Sequence, residues 1–233
     1  LLVKADVKSL EVVVAAMLSG DKVLCQEIRD KQDTHANNQL AFRLPDRITA
    51  KRFIFKLLYG ATDYGFANDS DFLSVGFSQK QWAGVIEAFY GKYHGIHAWH
   101  KLLAYEAQST GRITIPSGRY FPIVPDYNKR DPWPLTIIKN YPVQGFGAEL
   151  VALARCRILQ RLGERADALL VNTVHDSIAI DTTKENCYNI RDVLTESVEE
   201  VPALCKQIWG YDFTLPLTCE VKAGPNLADM TEI

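Results

Sequence analysis

Two apolar runs near opposite ends of the chain each carry a carboxylate, and this limits how everything between them can fold. Leu1-Leu2-Val3-Lys4-Ala5-Asp6 is a short apolar run that ends in an aspartate. Val174-His175-Asp176-Ser177-Ile178 sets a second aspartate between apolar flanks. Short apolar runs bounded by turn residues suit buried strands. A carboxylate in such a setting is expensive to bury without a partner. Two of them on adjacent strands repel each other unless cations sit between them. Two-metal phosphoryl transfer needs that arrangement, with two hard ions about 3.5–4 Å apart. Taken alone, Asp6 reads more simply as a strand-end turn residue, and Asp176 reads as readily one way as the other.

Between these runs the pattern alternates. Leu10 to Leu18 is apolar and helix-compatible and stops at Ser19-Gly20-Asp21. Residues 22–43 read as short helices. Arg47 to Tyr59 reads as a helix closed by Gly60. Ser78 to Gln108 is a long helical stretch in which Gly84, Gly91 and Gly95 argue for a break. Residues 112–135, rich in Pro and Gly, read as strands and loops. A further helix is expected from Pro142 to Leu162, and a hairpin over Leu169 to Asp181 with His175-Asp176 near its tip. Residues 184–199 are helical again, and Thr214 to Val221 reads as a final strand. Strands at both ends and in the middle, with helices between, predict an α+β fold: an antiparallel sheet with flanking helices.

Bulk properties add limits. A chain of 233 residues with 47% hydrophobic content holds one sizeable core, or a core with an attached subdomain. No apolar run is long enough to span a bilayer. The first residues are not a signal peptide, so a cytoplasmic setting is expected (host cytoplasm if the source is viral). The formal net charge is −2, so there is no whole-chain basic bias toward nucleic acid, although a local basic site remains open. Five cysteines, at 25, 156, 187, 205 and 219, form no C-x-x-C pair and read as free thiols of a reducing compartment.

One helix is locally basic. In Arg47-Ile-Thr-Ala-Lys51-Arg-Phe-Ile-Phe55-Lys-Leu-Leu-Tyr59-Gly60, the residues Arg47, Lys51, Phe55 and Tyr59 recur every four positions. Successive members drift by about 40°, so they stay on one side of the helix. Two cations begin the stripe and two aromatics end it. A triphosphate needs cations, and a base needs a flat apolar surface. His35, upstream, adds a third candidate phosphate donor. Arg43, Arg52 and Lys56 make the neighbourhood basic. Charge alone would equally describe a solvated amphipathic edge.

At this point the motifs resemble a known family, the DNA polymerase I-like (family A) DNA polymerases. Asp6-Val-Lys-Ser-Leu-Glu11 resembles their D-x-S-x-x-E motif. Residues 47–60 resemble R-x3-K-x3-[FY]-G-x2-Y-G, and Val174-His175-Asp176 resembles V-H-D. Asn140-Tyr-Pro-Val-Gln144-Gly145 is similar to N-x-P-x-Q-G. Asp33-Thr34-His35 and Gly224-Pro225-Asn226 look like segments of phage replicative members. The matches keep the family's order from residue 6 to 226.

The resemblance implies a palm over 1–30 and 111–233 and helical fingers over 31–110. It implies template-directed DNA synthesis, in viral replication for the phage-like branch. Asp6 and Asp176, with the Val7 carbonyl, would hold two Mg²⁺ ions. Arg47, Lys51 and His35 would hold a deoxynucleoside triphosphate, with Lys51 counted among the catalytic groups. Phe55 would lie against the incoming nucleotide, and Tyr59 would stack at the insertion site. Glu11 would crowd a 2′-hydroxyl. Asn140, Gln144 and His175 would contact primer–template DNA. Helix 47–60 would close over a correct pair. A thumb and an exonuclease segment, on the same longer protein or on a separate polypeptide, would complete the enzyme.

The sequence departs from the family pattern in places. Ser177 stands where a Glu is usual, and Lys56 where a Gly is usual. Lys8, Val13 and Thr136 replace a Ser and two Arg. A phage-type single-subunit RNA polymerase shares the R-x3-K helix and the His-Asp-Ser order, but Glu11 and Phe55 leave little room for a 2′-hydroxyl. A non-catalytic polymerase-like subunit, kept for DNA binding or assembly, is the reading from another class. Asp6, Asp176, Arg47 and Lys51 argue against it.

Overall fold

The computed structural model describes all of residues 1–233. The chain divides into two compact units, residues 1–10 with 145–233 and residues 11–144.

The first unit is built on a five-stranded antiparallel sheet. Its strands are β1 (Leu2–Val7), β4 (Ala168–Val174), β5 (Ser177–Thr182), β6 (Cys219–Gly224) and β7 (Thr231–Glu232), in the order β4-β5-β1-β6-β7. Strand β1 is central, and its burial alternates strictly: Val3, Ala5 and Val7 are buried, whereas Lys4 and Asp6 are half-buried. That is the period of two expected when one sheet face is covered. Helix α9 (Cys187–Glu199) covers it, placing Ile190, Leu194 and Val198 in the core. Each such buried side chain contributes roughly 1.5–3 kcal/mol relative to exposure.

The second unit is mostly helical: α2 (Lys22–Arg29), α3 (Thr34–Phe42), α4 (Arg47–Leu58), α5 (Asp63–Asn68), α6 (Gln79–Lys92) and α7 (His94–Thr110). A hairpin of β2 (Arg112–Thr114) and β3 (Tyr120–Pro122) follows. Its core is aromatic. Phe53 and Phe66 stack on Trp82 with ring centres 5.8 and 5.1 Å away, and Phe72 meets Trp82 edge-on at 5.2 Å. Helix α1 (Leu10–Ser19) begins at the division between the units, and α8 (Leu135–Leu162) runs across it.

The break expected in the long helical stretch is present, and other element bounds need correction. The 78–108 stretch breaks at Tyr93, just before Gly95. A Cβ on Gly95 would lie 2.6 Å from the Asp21 Cα, and the Gly95 N–H donates to the Asp21 carboxylate at 2.7 Å. Helix α8 starts at Leu135 rather than Pro142, which lies inside it. The strand expected at 214–221 is Cys219–Gly224. Leu215 and Leu217 are buried, but the β1–β6 ladder ends at Val7↔Cys219. A helix over Val201–Trp209 (α10), the short α5 and strand β7 were not anticipated.

Candidate functional site

In the sheet unit, β1 pairs with β5 in the register Asp6↔Ser177, so the end of β1 abuts the β4–β5 turn that holds His175 and Asp176. The Val7 N–H donates to the Asp176 carbonyl at 3.0 Å. The turn is tight: Val174 pairs with Ser177, and His175 takes φ +52°, a conformation uncommon for non-glycine residues. The Ser177 hydroxyl donates to the Val174 carbonyl at 2.9 Å and so helps close this turn. His175 is exposed.

Asp6 already has a cation beside it. Lys4 and Asp6 share a strand face two residues apart, and the Lys4 ammonium lies 2.8 Å from an Asp6 carboxylate oxygen. The next pair along the sheet repeats this: Glu220 lies opposite Asp6 and Lys222 opposite Lys4, with Lys222 3.3 Å from Glu220. The donor chemistry fits a hard divalent ion, because two carboxylates stand on hydrogen-bonded neighbouring backbone and an ammonium occupies one of them. The chain forms no cage of three or more His, Cys, Asp or Glu side chains. Mg²⁺ suits such a sparse set, since it usually keeps several waters and takes oxygens from substrate phosphates.

In the helical unit the basic stripe lies on α4. Asp46 caps that helix, accepting from the Thr49 N–H at 2.7 Å. The Arg47 Nε donates to the Asp33 carboxylate at 2.7 Å, and Asp33 also caps α3 through the His35 and Ala36 N–H groups. This guanidinium holds the Asp33 carboxyl below its usual range. His35 is buried, with its ring 5.9 Å from that of Phe55. Lys51 lies 5.7 Å from the Phe55 ring centre. Burial, then repulsion from Arg47 and Lys51, lowers His35 to about 4. His35 is therefore neutral near pH 7, and any phosphate contact it makes is a hydrogen bond rather than an ion pair. The structure thus brings His35, Arg47, Lys51 and Phe55 close together.

A second group forms at the far end of α4. The Gln144 amide donates to the Tyr59 hydroxyl. Burial, and then the negative charge of Glu11, push the Tyr59 hydroxyl well above its usual range. Glu11, Tyr59 and Gln144 are therefore neighbours. Asn140 lies one helical turn before Gln144 on α8, on the same side. Gly60 follows at φ +89°. A Cβ there would meet the Lys139 side chain and the Thr136 backbone, each at 3.2 Å, so only glycine fits. Behind this turn a cavity of 590 Å³ is lined by Gly60, Asp63, Tyr90, Trp133, Thr136 and Lys139 among others.

Lys56 makes a contact that the sequence did not announce. Its ammonium lies 2.5 Å from Asp69 and 2.8 Å from Asp71, and 5.3 Å from the Phe72 ring centre. It ties α4 to the segment after α5. No local spacing links Lys56 to these partners. The Lys4–Asp6 pair, in contrast, was signalled by strand alternation and overlooked. No helix of the chain is long and apolar enough to cross a membrane.

The family model for DNA polymerase family A matches residues 1–229. Among curated proteins, the chain is 27% identical over 214 residues to DNA polymerase I of Lactococcus lactis subsp. cremoris, covering 86% of this chain and 24% of that protein. It is 27% identical over 236 residues to the thermostable DNA polymerase I of Thermus aquaticus, covering 96% and 26%. The chain thus spans about a quarter of the length of these relatives. Among solved structures, the POL domain of Pol1 from M. smegmatis, in complex with DNA primer-template and dNTP, superposes with a TM-score of 0.80 at 18% identity. That likeness covers 94% of this chain and 38% of the other, and it shows the α+β polymerase-domain fold.

Proposed function

We propose, since the chain belongs to DNA polymerase family A, that it extends a primer 3′ end with deoxynucleotides on a template strand. The observation that carries this reading is the register of β1 on β5, which sets Asp6, near the end of the central strand, beside the Asp176 turn. Asp6, Asp176 and the Val7 carbonyl would hold Mg²⁺, which when bound lowers the pKa of an attacking hydroxyl and stabilises charge on the leaving oxygen. Arg47 and Lys51 bind and orient the triphosphate, exchanging the Asp33 carboxylate for phosphate oxygens. Neutral His35 donates one hydrogen bond. Phe55 packs against the nucleotide. Glu11, beside Tyr59, fills the space a 2′-hydroxyl would need. Asn140, Gln144 and His175 contact primer–template.

Two finer assignments belong to the same proposal. The curated relatives described above are bacterial. Asp33-Thr34-His35 and Gly224-Pro225-Asn226 support a phage replicative branch and a role in viral DNA replication, and the double duty of Asp33 gives the first segment a physical purpose. Duplex grip would come from a thumb and exonuclease segment, on the same longer protein or on another polypeptide.

Single-nucleotide incorporation, with that segment supplied, tests the reading. The wild-type chain is expected to take deoxynucleotides and refuse ribonucleotides. Glu11→Ala should raise ribonucleotide use at least tenfold. Equal use of both by the wild type would refute the DNA assignment in favour of RNA synthesis.

A further inference from the structure

We infer that the β2–β3 hairpin and the loop after it form a platform for an unpaired nucleic-acid strand; this rests on the DNA-synthesis reading and extends it to a surface outside the motifs. Two arginines lie over rings on this hairpin. The Arg112 guanidinium is 5.1 Å from the Tyr120 ring centre, and Arg119 is 4.9 Å from that of Phe121. A guanidinium stacked on a ring still presents N–H groups at its edge, which suits phosphate. Phe121 in turn packs on Tyr141 of α8, with ring centres 5.3 Å apart, and Tyr141 stands three residues before Gln144 on that helix. The platform is therefore continuous with the α8 face assigned to primer–template.

Charge supports the same occupant. Segment 111–133 carries four cations, Arg112, Arg119, Lys129 and Arg130, against two carboxylates, Asp126 and Asp131, in a chain whose net charge is −2. Asp126 is engaged with Lys129 at 3.3 Å. The exposed rings point to single strands. Tyr120 is 56% exposed and Tyr127 is 80% exposed. Neither ring is buried: the hairpin is anchored by buried Ile113 and Ile115 and by the Thr114 N–H donating to Glu106 at 2.9 Å, with Arg112 lying over the Tyr120 ring. A duplex buries its base faces in its own stack, whereas an unpaired base offers its face to an aromatic ring, at roughly 1–3 kcal/mol per base.

The test uses a labelled blunt duplex and the same duplex with a single-stranded template extension, with binding read by fluorescence anisotropy. For the wild type, the extension should tighten binding about tenfold. Arg112→Ala with Tyr120→Ala should reduce that gain to under twofold and leave blunt-duplex affinity unchanged. Tyr127→Ala removes a solvent-facing loop ring and so keeps the fold intact; it should lower the gain about threefold. The inference is overturned if the extension brings no gain, if the variants keep the gain, or if they weaken blunt and extended DNA by the same factor, which would mark a general phosphate contact. Primer extension on the same DNA separates the two readings. Synthesis with a gain indifferent to the variants removes only the platform, whereas no synthesis and no DNA binding removes both.

Discussion

The Asp6–Asp176 edge and the basic face of α4 carry opposite charges but solve the same physical problem. Each concentrates charge that the proposed function gives to a ligand, and each neutralises part of it with a residue of the opposite sign. Lys4 stands against Asp6 at 2.8 Å, and Asp33 stands against Arg47 at 2.7 Å. They differ in how they are held. The α4 face is tied down by Asp46 at its cap, by Arg47 to Asp33 and by Lys56 to Asp69 and Asp71, and it overlies an aromatic core. The carboxylate edge is held by backbone pairing, with one lysine as its counter-charge. On the proposed reading, anion binding is prepared by side chains and cation binding by strand register.

Among substitutions that leave both aspartates in place, the largest effect is expected on α4. Lys51→Ala removes a cation that is not needed for packing, so the fold should survive. The efficiency of nucleotide incorporation should fall about a hundredfold, as for loss of one electrostatic donor in an active site. Single-turnover kinetics would measure it, and a change under threefold would remove Lys51 from the triphosphate site.

Next comes pH. His35 has its pKa lowered to about 4 in the folded chain, against an ordinary value near 6.5. Between those values the unfolded chain takes up a proton that the native chain refuses, so stability falls as pH drops from about 6.5 to 4. Above and below that window this group adds no slope. The loss from His35 is on the order of 3 kcal/mol across the window. Buried His100, lowered to about 3, adds to it in the same direction. Urea unfolding at several pH values should show His35→Gln with a shallower decline than the wild type. Parallel curves would mean that the buried imidazole does not set the slope.

The smallest effect concerns the carboxylate edge. Lys4→Met removes the counter-charge from Asp6 and should tighten Mn²⁺ binding about threefold, as exposed pairs are worth less than about 1 kcal/mol. Electron paramagnetic resonance of free Mn²⁺ would show this. Weaker binding in the variant would mean that Lys4 organises Asp6 rather than competing for it.

The same contrast explains what could be read in advance. Arg47, Lys51 and Phe55 lie on one helix at a spacing set by its pitch, with Tyr59 at its C-cap, so their shared side was legible from local sequence. Asp6 and Asp176 come from distant segments. Each looked ordinary alone, and only the order of motifs made them a pair. Lys56 escaped because Asp69 and Asp71 reach it through a turn with no periodic signature. Pro142 misled because proline favours the first turn of a helix, whereas here buried Ile138 and Val143 keep α8 continuous around it. The stretch from Thr214 read as extended chain, but a strand also needs a ladder partner, and β1 has none left to offer at Leu215 and Leu217.

The most direct test of the central claim is Mg²⁺-dependent deoxynucleotide incorporation by wild type, Asp6→Asn and Asp176→Asn, with thermal melts run alongside. If the sheet register exists to hold catalytic metal, each substitution should cut incorporation at least a thousandfold while the melting temperature stays within a few degrees. Incorporation that survives either substitution at near wild-type rate, or a wild type that never incorporates a nucleotide even with a thumb segment supplied, would contradict the account and leave a polymerase-like fold used for binding alone.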